Sequence, residues 1–186
     1  MKNIILQHWS GRLGPLELAS QENMEKYAKQ CDAEYQLIRG NQFRLWLSPP
    51  CQKLIMLDER FDEYEDVCMI DMDMFVVKNV KDNVFDVPGV GLNSPVQKQI
   101  FKIMSNHKKY KSVVDKNGPF WGGAIWKFTN AQRKQLRKFI VDDELKIFTK
   151  NYVDEGITHR LASQAGLKQI DLSLIHISEP TRRSVI

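Results

Sequence analysis

The sequence predicts an α/β fold, in which a mostly parallel central sheet is flanked by helices within a single domain. Candidate strands and helices alternate through the first half of the 186 residues, an order typical of parallel sheets. The run Val67–Ile70 is apolar without alternation, as expected for a strand that is covered on both faces. No internal repeat or low-complexity linker interrupts the chain, so its length fits one ordinary core.

Each element is predicted from its own pattern. Apolar residues at helical spacing predict the first helix, and a serine followed by two prolines is typical of the start of the second. We expect strands at Asn3–Gln7, Tyr35–Arg39, Val67–Ile70, Val90–Leu92 and Ala124–Phe128. We expect helices at Leu16–Gln30, from Ser48 through Phe61, and at 95–107, 130–140 and 154–165.

Charge gives little reason to expect a nucleic-acid partner. The net charge is only +4, and the densest basic stretch consists of two pairs, Arg133-Lys134 and Arg137-Lys138, four residues apart on a predicted helix. Such a stretch is typical of a solvated helix face, whereas duplex-binding domains concentrate basic and aromatic residues in one patch. The acids between Asp58 and Asp66 are likewise expected to face water.

The cysteines and the apolar runs indicate a cytoplasmic protein without a membrane anchor. Cys31, Cys51 and Cys68 are odd in number and form no C-x-x-C pair, so we expect reduced thiols and neither a disulfide framework nor a zinc site. The apolar run after Met1 is too short for a signal peptide, and no stretch reaches membrane-spanning length.

The last 15 residues are expected to be foreign to the fold. The stretch "LSLIHISEPTRRS" resembles a translated sequencing adapter, so we predict a domain over residues 1–171 and a non-native tail over 172–186. His176 is therefore excluded as a candidate ligand.

Two carboxylates follow the most apolar strand, in the stretch "VCMIDMDMFV". Asp71 and Asp73 are two residues apart, so in an extended segment both side chains point to the same side. Like charges this close repel unless a cation lies beside them. The carboxyl ends of strands form the ligand crevice of open α/β sheets, and Mg²⁺ or Mn²⁺ prefers oxygen ligands there. A strand that simply ends in solvent is the alternative explanation.

The stretch "KLIMLDERFDEYEDVCMIDMDMFVVKNVKDNVFD" resembles the core of nucleotide-sugar glycosyltransferases of the GT-A (Rossmann-like) fold. The later "GPFWGGAIWKFT" and "VDEGITHRLASQAGL" resemble two further stretches of glycogenin-like members, in the same order. The resemblance covers about residues 1–170. The small size is also similar to the soluble transferases with which large algal viruses glycosylate capsid protein.

The resemblance implies a metal-dependent transfer from a nucleotide-sugar, with a UDP-sugar expected, to a glycan or protein acceptor. It implies that Asp73 binds Mn²⁺ or Mg²⁺ directly and that Asp71 reaches the metal or the donor's ribose. Lys53 matches a position that often faces the donor, or it is a helix-surface lysine. The segment containing Gln7 and Trp9 would lie at the nucleotide base, where Trp9 either stacks or plugs the core.

Further candidates lie in the two later stretches. Gly122 and Gly123 would let the backbone approach a bound sugar, on which Trp121 packs, or they form a β-bulge. Asp154 and Glu155 are the catalytic candidates, as general base or as a charge beside the reacting carbon. Capping of the following helix is the competing explanation for Asp154. His159 lies four residues after Glu155 and is expected at the surface.

Two alternatives to a transferase stay open at this point. A haloacid-dehalogenase-like phosphohydrolase also ends an apolar strand with D-x-D, although usually near the N-terminus and with the first Asp as nucleophile. A non-catalytic sugar- or cation-binding module would keep the metal site without turnover. Many members of the resembled family supply a third metal ligand, often a histidine, near the C-terminal end, and that region is lost or replaced here.

Overall fold

A four-stranded sheet forms the centre of the computed structural model, which describes residues 2–78, 80–87, 122–145, 153–167 and 177–178. The strands are β1 (Asn3–Trp9), β2 (Glu34–Arg39), β3 (Asp66–Ile70) and β5 (Ile125–Thr129), in the spatial order β2-β1-β3-β5. β1 is parallel to both β2 and β3, whereas β5 is antiparallel to β3. The predicted mostly parallel sheet is therefore confirmed.

Two short strands pair outside this sheet. β4 (Phe75–Val76) is antiparallel to β6 (Ile177–Ser178), which belongs to the segment expected to be non-native. That expectation about residues 172–186 stays a prediction. The strand predicted at Val90–Leu92, the helix at 95–107 and Trp121 lie outside the described residues.

The helices pack against both faces of the sheet. They are α1 (Pro15–Gln30), α2 (Asn130–Arg137), α3 (Asp142–Leu145) and α4 (Val153–Gln164), with 3₁₀ helices at Pro49–Leu57 and Glu59–Phe61. The helix predicted at 130–140 ends three residues early, and a separate short helix begins at Asp142. Among the described residues, no helix combines the length and the apolarity needed to span a membrane.

The helix starts follow local chemistry. Pro15 stands in the first turn of α1, where its missing N–H costs nothing, and the backbone N–H of Gly14 donates to Glu17 Oε2 at 2.7 Å. At α2 the Thr129 hydroxyl accepts from the Gln132 N–H at 3.2 Å, and the Gln132 side chain accepts from the Thr129 N–H at 2.9 Å. This reciprocal capping box fixes the turn directly after β5.

The core consists of two layers, one on each face of the sheet. Ile4 and Leu6 of β1 point into the layer that also contains the first 3₁₀ helix and α4, whereas Ile5 points into the layer with α1. The same alternation divides Val67 from Cys68 in β3. Because both layers are apolar, neither strand shows a polar face, which explains the uninterrupted apolar runs in the sequence.

The prediction of a solvated basic face at α2 was wrong for its two arginines. Arg133 is fully buried, and its guanidinium donates to the carbonyls of Phe61, Tyr64 and Phe128 at 2.7–2.9 Å. Arg137 forms an ion pair with Asp62 at 2.7 Å, so this acid does not simply face water either. The two lysines of the stretch, by contrast, are exposed.

Candidate active site

A cleft of about 490 Å³ opens at the carboxyl ends of β1 and β3. Asp71 and Asp73, which follow β3, both line it. The Asp71 N–H donates to the Ala124 carbonyl at 2.8 Å, which continues the pairing of β3 with the segment before β5 and fixes the backbone of the pair. The lining residues come from the β1 end, the start of α1, the first 3₁₀ helix, the β3 end and α4: His8, Trp9, Ser10, Leu16, Glu17, Pro49, Pro50, Lys53, Asp71, Met72, Asp73 and Asp154.

Lys53 connects three separate segments at the floor of this cleft. Its Nζ lies 2.5 Å from Asp71 Oδ1, 2.9 Å from Asp154 Oδ2 and 2.9 Å from the Gly123 carbonyl oxygen. The side chain is only 11% exposed, so the helix-surface alternative for Lys53 was wrong. The ammonium also lies 5.6 Å from the centre of the Trp126 ring, close enough for a cation–π contact.

Burial and charge act in opposite directions on this cluster. Burial raises the pKa of Asp71 to about 6, although contact with Lys53 counteracts it; the neighbouring Asp154 and Asp73 raise it further. Burial lowers the pKa of Lys53, but the carboxylates of Asp71 and Asp154 outweigh that effect and raise it above the ordinary lysine value. Lys53 is therefore a permanent cation of the cleft at neutral pH.

Gly123 lies where there is no room for a side chain. A Cβ at this position would come within 2.6 Å of Asp154 Oδ2 and 3.4 Å of Lys53 Nζ. The Gly123 N–H donates to Glu155 Oε1 at 3.1 Å. The groups that contact the Gly123 backbone are charged side chains of the protein itself, and the expected approach to a bound sugar stays a prediction. Gly122 is buried, and its carbonyl accepts from the indole N–H of Trp126 at 2.7 Å.

The two β1 candidates have different positions. Trp9 is partly exposed and lines the cleft, and its indole N–H donates to the Arg12 carbonyl at 3.0 Å, so it is not a core plug. Gln7 is fully buried, and its amide nitrogen donates to the Asp71 carbonyl and to the Ser20 hydroxyl, both at 3.0 Å. The prediction that Gln7 contacts a ligand was therefore wrong. Its buried side chain instead binds the backbone of Asp71.

Within α4, only the first candidate carboxylate lines the cleft. Asp154 directs its Oδ2 to Lys53, and the helix begins one residue earlier, at Val153, so Asp154 is not its N-cap residue. Glu155 accepts a hydrogen bond from the Gly123 N–H and does not line the cleft. His159 is 2% exposed, and its expected surface position was wrong.

Comparison with known proteins identifies the fold. A crystal structure of a mutant Drosophila beta-1,4-galactosyltransferase 7 in complex with manganese, UDP-Gal and xylobiose aligns with a TM-score of 0.54 at 15% identity, over 98% of this chain and 72% of that chain. The fold is GT-A-like. A glycosyltransferase involved in the glycosylation of the major capsid of PBCV-1 aligns with a TM-score of 0.49 at 11% identity, over 85% of this chain and 75% of that chain. No protein-family model and no curated protein matches the sequence.

The GT-A-like cleft offers a divalent cation two carboxylates. Asp73 is exposed and Asp71 keeps 26% of its side chain exposed, and both line the cleft. The segment between them is a turn, closed by the Met74 N–H on the Asp71 carbonyl at 3.2 Å, so the expected extended conformation was wrong. Within the described ranges, no three His, Cys, Asp or Glu side chains converge as a complete metal site. Two protein carboxylates suit Mg²⁺ or Mn²⁺ when substrate phosphates complete the coordination, so the residues present fit such an ion.

Sequence reasoning missed Pro49 and Pro50 among the residues that line the cleft. Pro49 and Pro50 were used only as a helix start, yet both line the cleft beside Lys53. In a 3₁₀ helix residues three apart lie on the same side, which places Pro50 directly above Lys53. His8 also lines the cleft; burial lowers the pKa of its imidazole, although a contact with the Gly40 carbonyl partly offsets that effect.

Proposed function

We propose that the protein is a metal-dependent glycosyltransferase that moves a sugar from a nucleotide-sugar to a hydroxyl of a glycan or protein acceptor. The observation that carries the proposal is the sharing of one cleft by Asp71, Asp73, Lys53 and Asp154 at the carboxyl ends of the strands. A UDP-sugar is the expected donor. The Drosophila enzyme of the same fold, solved with manganese, UDP-Gal and xylobiose, supports a divalent cation and this donor class.

The cleft needs added positive charge before it can accept a diphosphate. Among the described residues that line it, Asp71, Asp73, Asp154 and Glu17 are acids, and Lys53 supplies one ammonium. Asp71 and Asp73 would hold Mn²⁺ or Mg²⁺ and thereby lower this excess of negative charge. A bound divalent cation stabilises the negative charge that develops on a departing diphosphate, which lowers the barrier to transfer.

The remaining groups have positions that suit the other parts of the donor and the acceptor. Trp9 and His8, at the β1 end, offer ring faces and edges to a nucleotide. Asp154 lines the cleft with one oxygen held by Lys53, so its carboxylate is fixed where it can accept an acceptor proton or stabilise a developing cation. Glu155 acts through Gly123 and is a positioning residue.

Ligand-induced stabilisation tests the metal site. UDP-sugars are added to the purified chain with and without Mn²⁺, and the thermal midpoint is measured. Because a ligand that binds the native state raises its stability, we expect an upward shift of several degrees that requires both donor and Mn²⁺. The Asp73→Asn variant should lose this shift, since it keeps the shape of the side chain and removes its charge.

Asp82→Asn is the matched control, because Asp82 is an exposed aspartate outside the cleft. This variant should keep the full shift. An equal, metal-dependent shift in Asp73→Asn would contradict the role given to Asp73. Turnover separates the enzyme classes: a transferase releases UDP from its donor in the presence of Mn²⁺, a phosphohydrolase releases inorganic phosphate, and a binding module releases neither.

A further inference from the structure

The ammonium of Lys53 has no free proton left for a substrate. It has three N–H donors, and three oxygens lie within 2.9 Å: one from Asp71, one from Asp154 and the Gly123 carbonyl. Its side chain is 11% exposed and that of Asp154 only 12%. The protein itself therefore accepts all the hydrogen bonds that the Lys53 ammonium can donate, although this residue lies at the floor of the cleft.

The same contacts place a fixed positive charge between two acids. Asp71 and Asp154 come from the end of β3 and from α4, and each lies within hydrogen-bonding distance of the one nitrogen. Asp73 lines the same cleft, although these three acids do not converge as a complete metal site. The ammonium offsets part of the negative charge with which Asp71 and Asp154 would otherwise attract a divalent cation.

We infer that Lys53 is an internal cation that determines which side of Asp71 a divalent metal can occupy. The Lys53 ammonium binds Asp71 Oδ1 and the Asp154 carboxylate. The other Asp71 oxygen and the Asp73 carboxylate are left for the metal. Asp154 is thereby kept out of metal coordination and stays available at the reacting centre. The inference rests on the proposed function, and it makes Lys53 a positioning residue that contacts neither donor nor acceptor.

A clear consequence is that removing the lysine charge affects metal binding and turnover in opposite directions. The loss of the ammonium removes its repulsion of Mn²⁺ and releases two carboxylate oxygens to the cleft. An ammonium close to the ion opposes its binding by Coulomb repulsion, so the Mn²⁺ affinity should rise by at least about tenfold when this charge is removed. Turnover should fall, because Asp154 is no longer held apart from the metal.

The test is a direct titration of the whole chain with Mn²⁺ alone. Electron paramagnetic resonance measures the concentration of free Mn²⁺ at each step, which gives the affinity. We expect Lys53→Met to bind Mn²⁺ at least about tenfold more tightly than the parent chain and to have a lower kcat. Lys26→Met is the matched control, because it removes the same charge from an exposed helix position and should leave the affinity unchanged. Asp154→Asn, which keeps Lys53 on Asp71, should not bind Mn²⁺ more tightly either.

A second variant guards against misfolding of Lys53→Met, which leaves two buried acids without a counter-ion. The double variant Lys53→Met/Asp154→Asn removes one acid together with the lysine, so the net charge of the cluster is the same as in the parent chain. It should bind Mn²⁺ more tightly than Asp154→Asn alone, since Asp71 is released. Equal affinity in these two folded variants would overturn the inference.

Failure of the inference is distinguishable from failure of the proposed function. If the parent chain binds Mn²⁺ and UDP-sugar but the lysine variants bind Mn²⁺ no more tightly, only the role of Lys53 is refuted. If the parent chain binds no Mn²⁺ even with donor present, the proposed function is refuted, and this inference with it.

Discussion

Close contacts surround Lys53 in the cleft. Asp71, Asp154 and Gly123 all lie within hydrogen-bonding distance of one nitrogen. Displacements of about 1 Å at such a site commonly cost large factors in rate. Small side-chain changes here should therefore affect activity more than stability.

Gly123→Ala is the smallest such change. The added Cβ would come within 2.6 Å of Asp154 Oδ2, so the carboxylate must move away from Lys53. We expect turnover to fall by at least about tenfold while the fold is retained. UDP release and the thermal midpoint are measured on the same preparation.

Gly166→Ala provides the comparison for backbone effects. Gly166 has a φ of +66° with open space around it, so alanine there costs about 1 kcal/mol of stability without touching the cleft. Its turnover should match that of the parent chain. Equal losses of turnover in the two variants would mean that stability, and not the position of Asp154, limits the activity.

At the scale of elements, buried polar side chains hold the helices to the sheet. Arg133 of α2 connects the end of β5 to the turn before β3 through three carbonyl groups. Gln52 of the first 3₁₀ helix accepts from the backbone N–H groups of Gln42 and Phe43 at 3.0 and 2.9 Å, which orders the loop after β2. These bonds fix the elements that carry the cleft residues.

Arg133→Met should therefore be strongly destabilising. Methionine fills much of the volume but removes the charged donor from three carbonyls, of which that of Phe61 keeps the Tyr64 N–H at 3.1 Å. A hydrogen bond from a charged donor contributes about 1.5–3 kcal/mol. We expect the free energy of unfolding to fall by about 3 kcal/mol, measured by urea denaturation. Lys134→Met, one residue along the same helix and exposed, should change it by less than about 0.5 kcal/mol.

At the scale of the whole molecule, the two-layered core buries all three cysteines. Burial raises the pKa of Cys51 to about 11 and that of Cys68 to about 12, against an ordinary value of 9.0. An unfolded chain loses these protons first as the pH rises. The native state thus binds more protons above pH 9, and alkaline conditions must favour unfolding.

We expect the free energy of unfolding to be independent of these thiols below pH 9 and to fall as the pH rises from 9 towards 11 and 12. The slope should be about 1.4 kcal/mol per pH unit for each thiol. Urea denaturation between pH 8 and 11, under conditions where unfolding is reversible, measures this slope. Cys68→Ala should have a shallower slope than the parent chain, and an identical slope would show that Cys68 does not contribute.

Most strands and helices could be predicted from the sequence, because a single local pattern of apolar residues marks each of them. The apolar runs of β1 and β3 and the helical periodicity of α1 agree with the layers in which they are buried, so their positions were predicted closely. The proline-containing start after Ser48 was also correct, although the helix that follows is wound as 3₁₀. Patterns repeated over many residues average out the influence of individual tertiary contacts.

Single polar residues were less predictable, since their surroundings come from distant segments. Arg133 and His159 read as surface residues, and both are buried. Gln7 read as a ligand contact, and its hydrogen bonds are to Ser20, Tyr35 and the Asp71 carbonyl. No local spacing could indicate these partners, which lie 13 to 64 residues away along the chain.

By itself, the sequence determined the order of strands and helices along the chain and the position of the acidic pair after β3. Both follow from local properties: the burial of a strand and the end of an apolar run. Only the tertiary structure decided that Asp71 shares a cation with Asp154, since the carboxylate, the lysine and the glycine that surround this charge are brought together from segments up to 101 residues apart. A charge that far away leaves no periodic pattern in a sequence, yet at 2.5–2.9 Å it controls what the acids can bind.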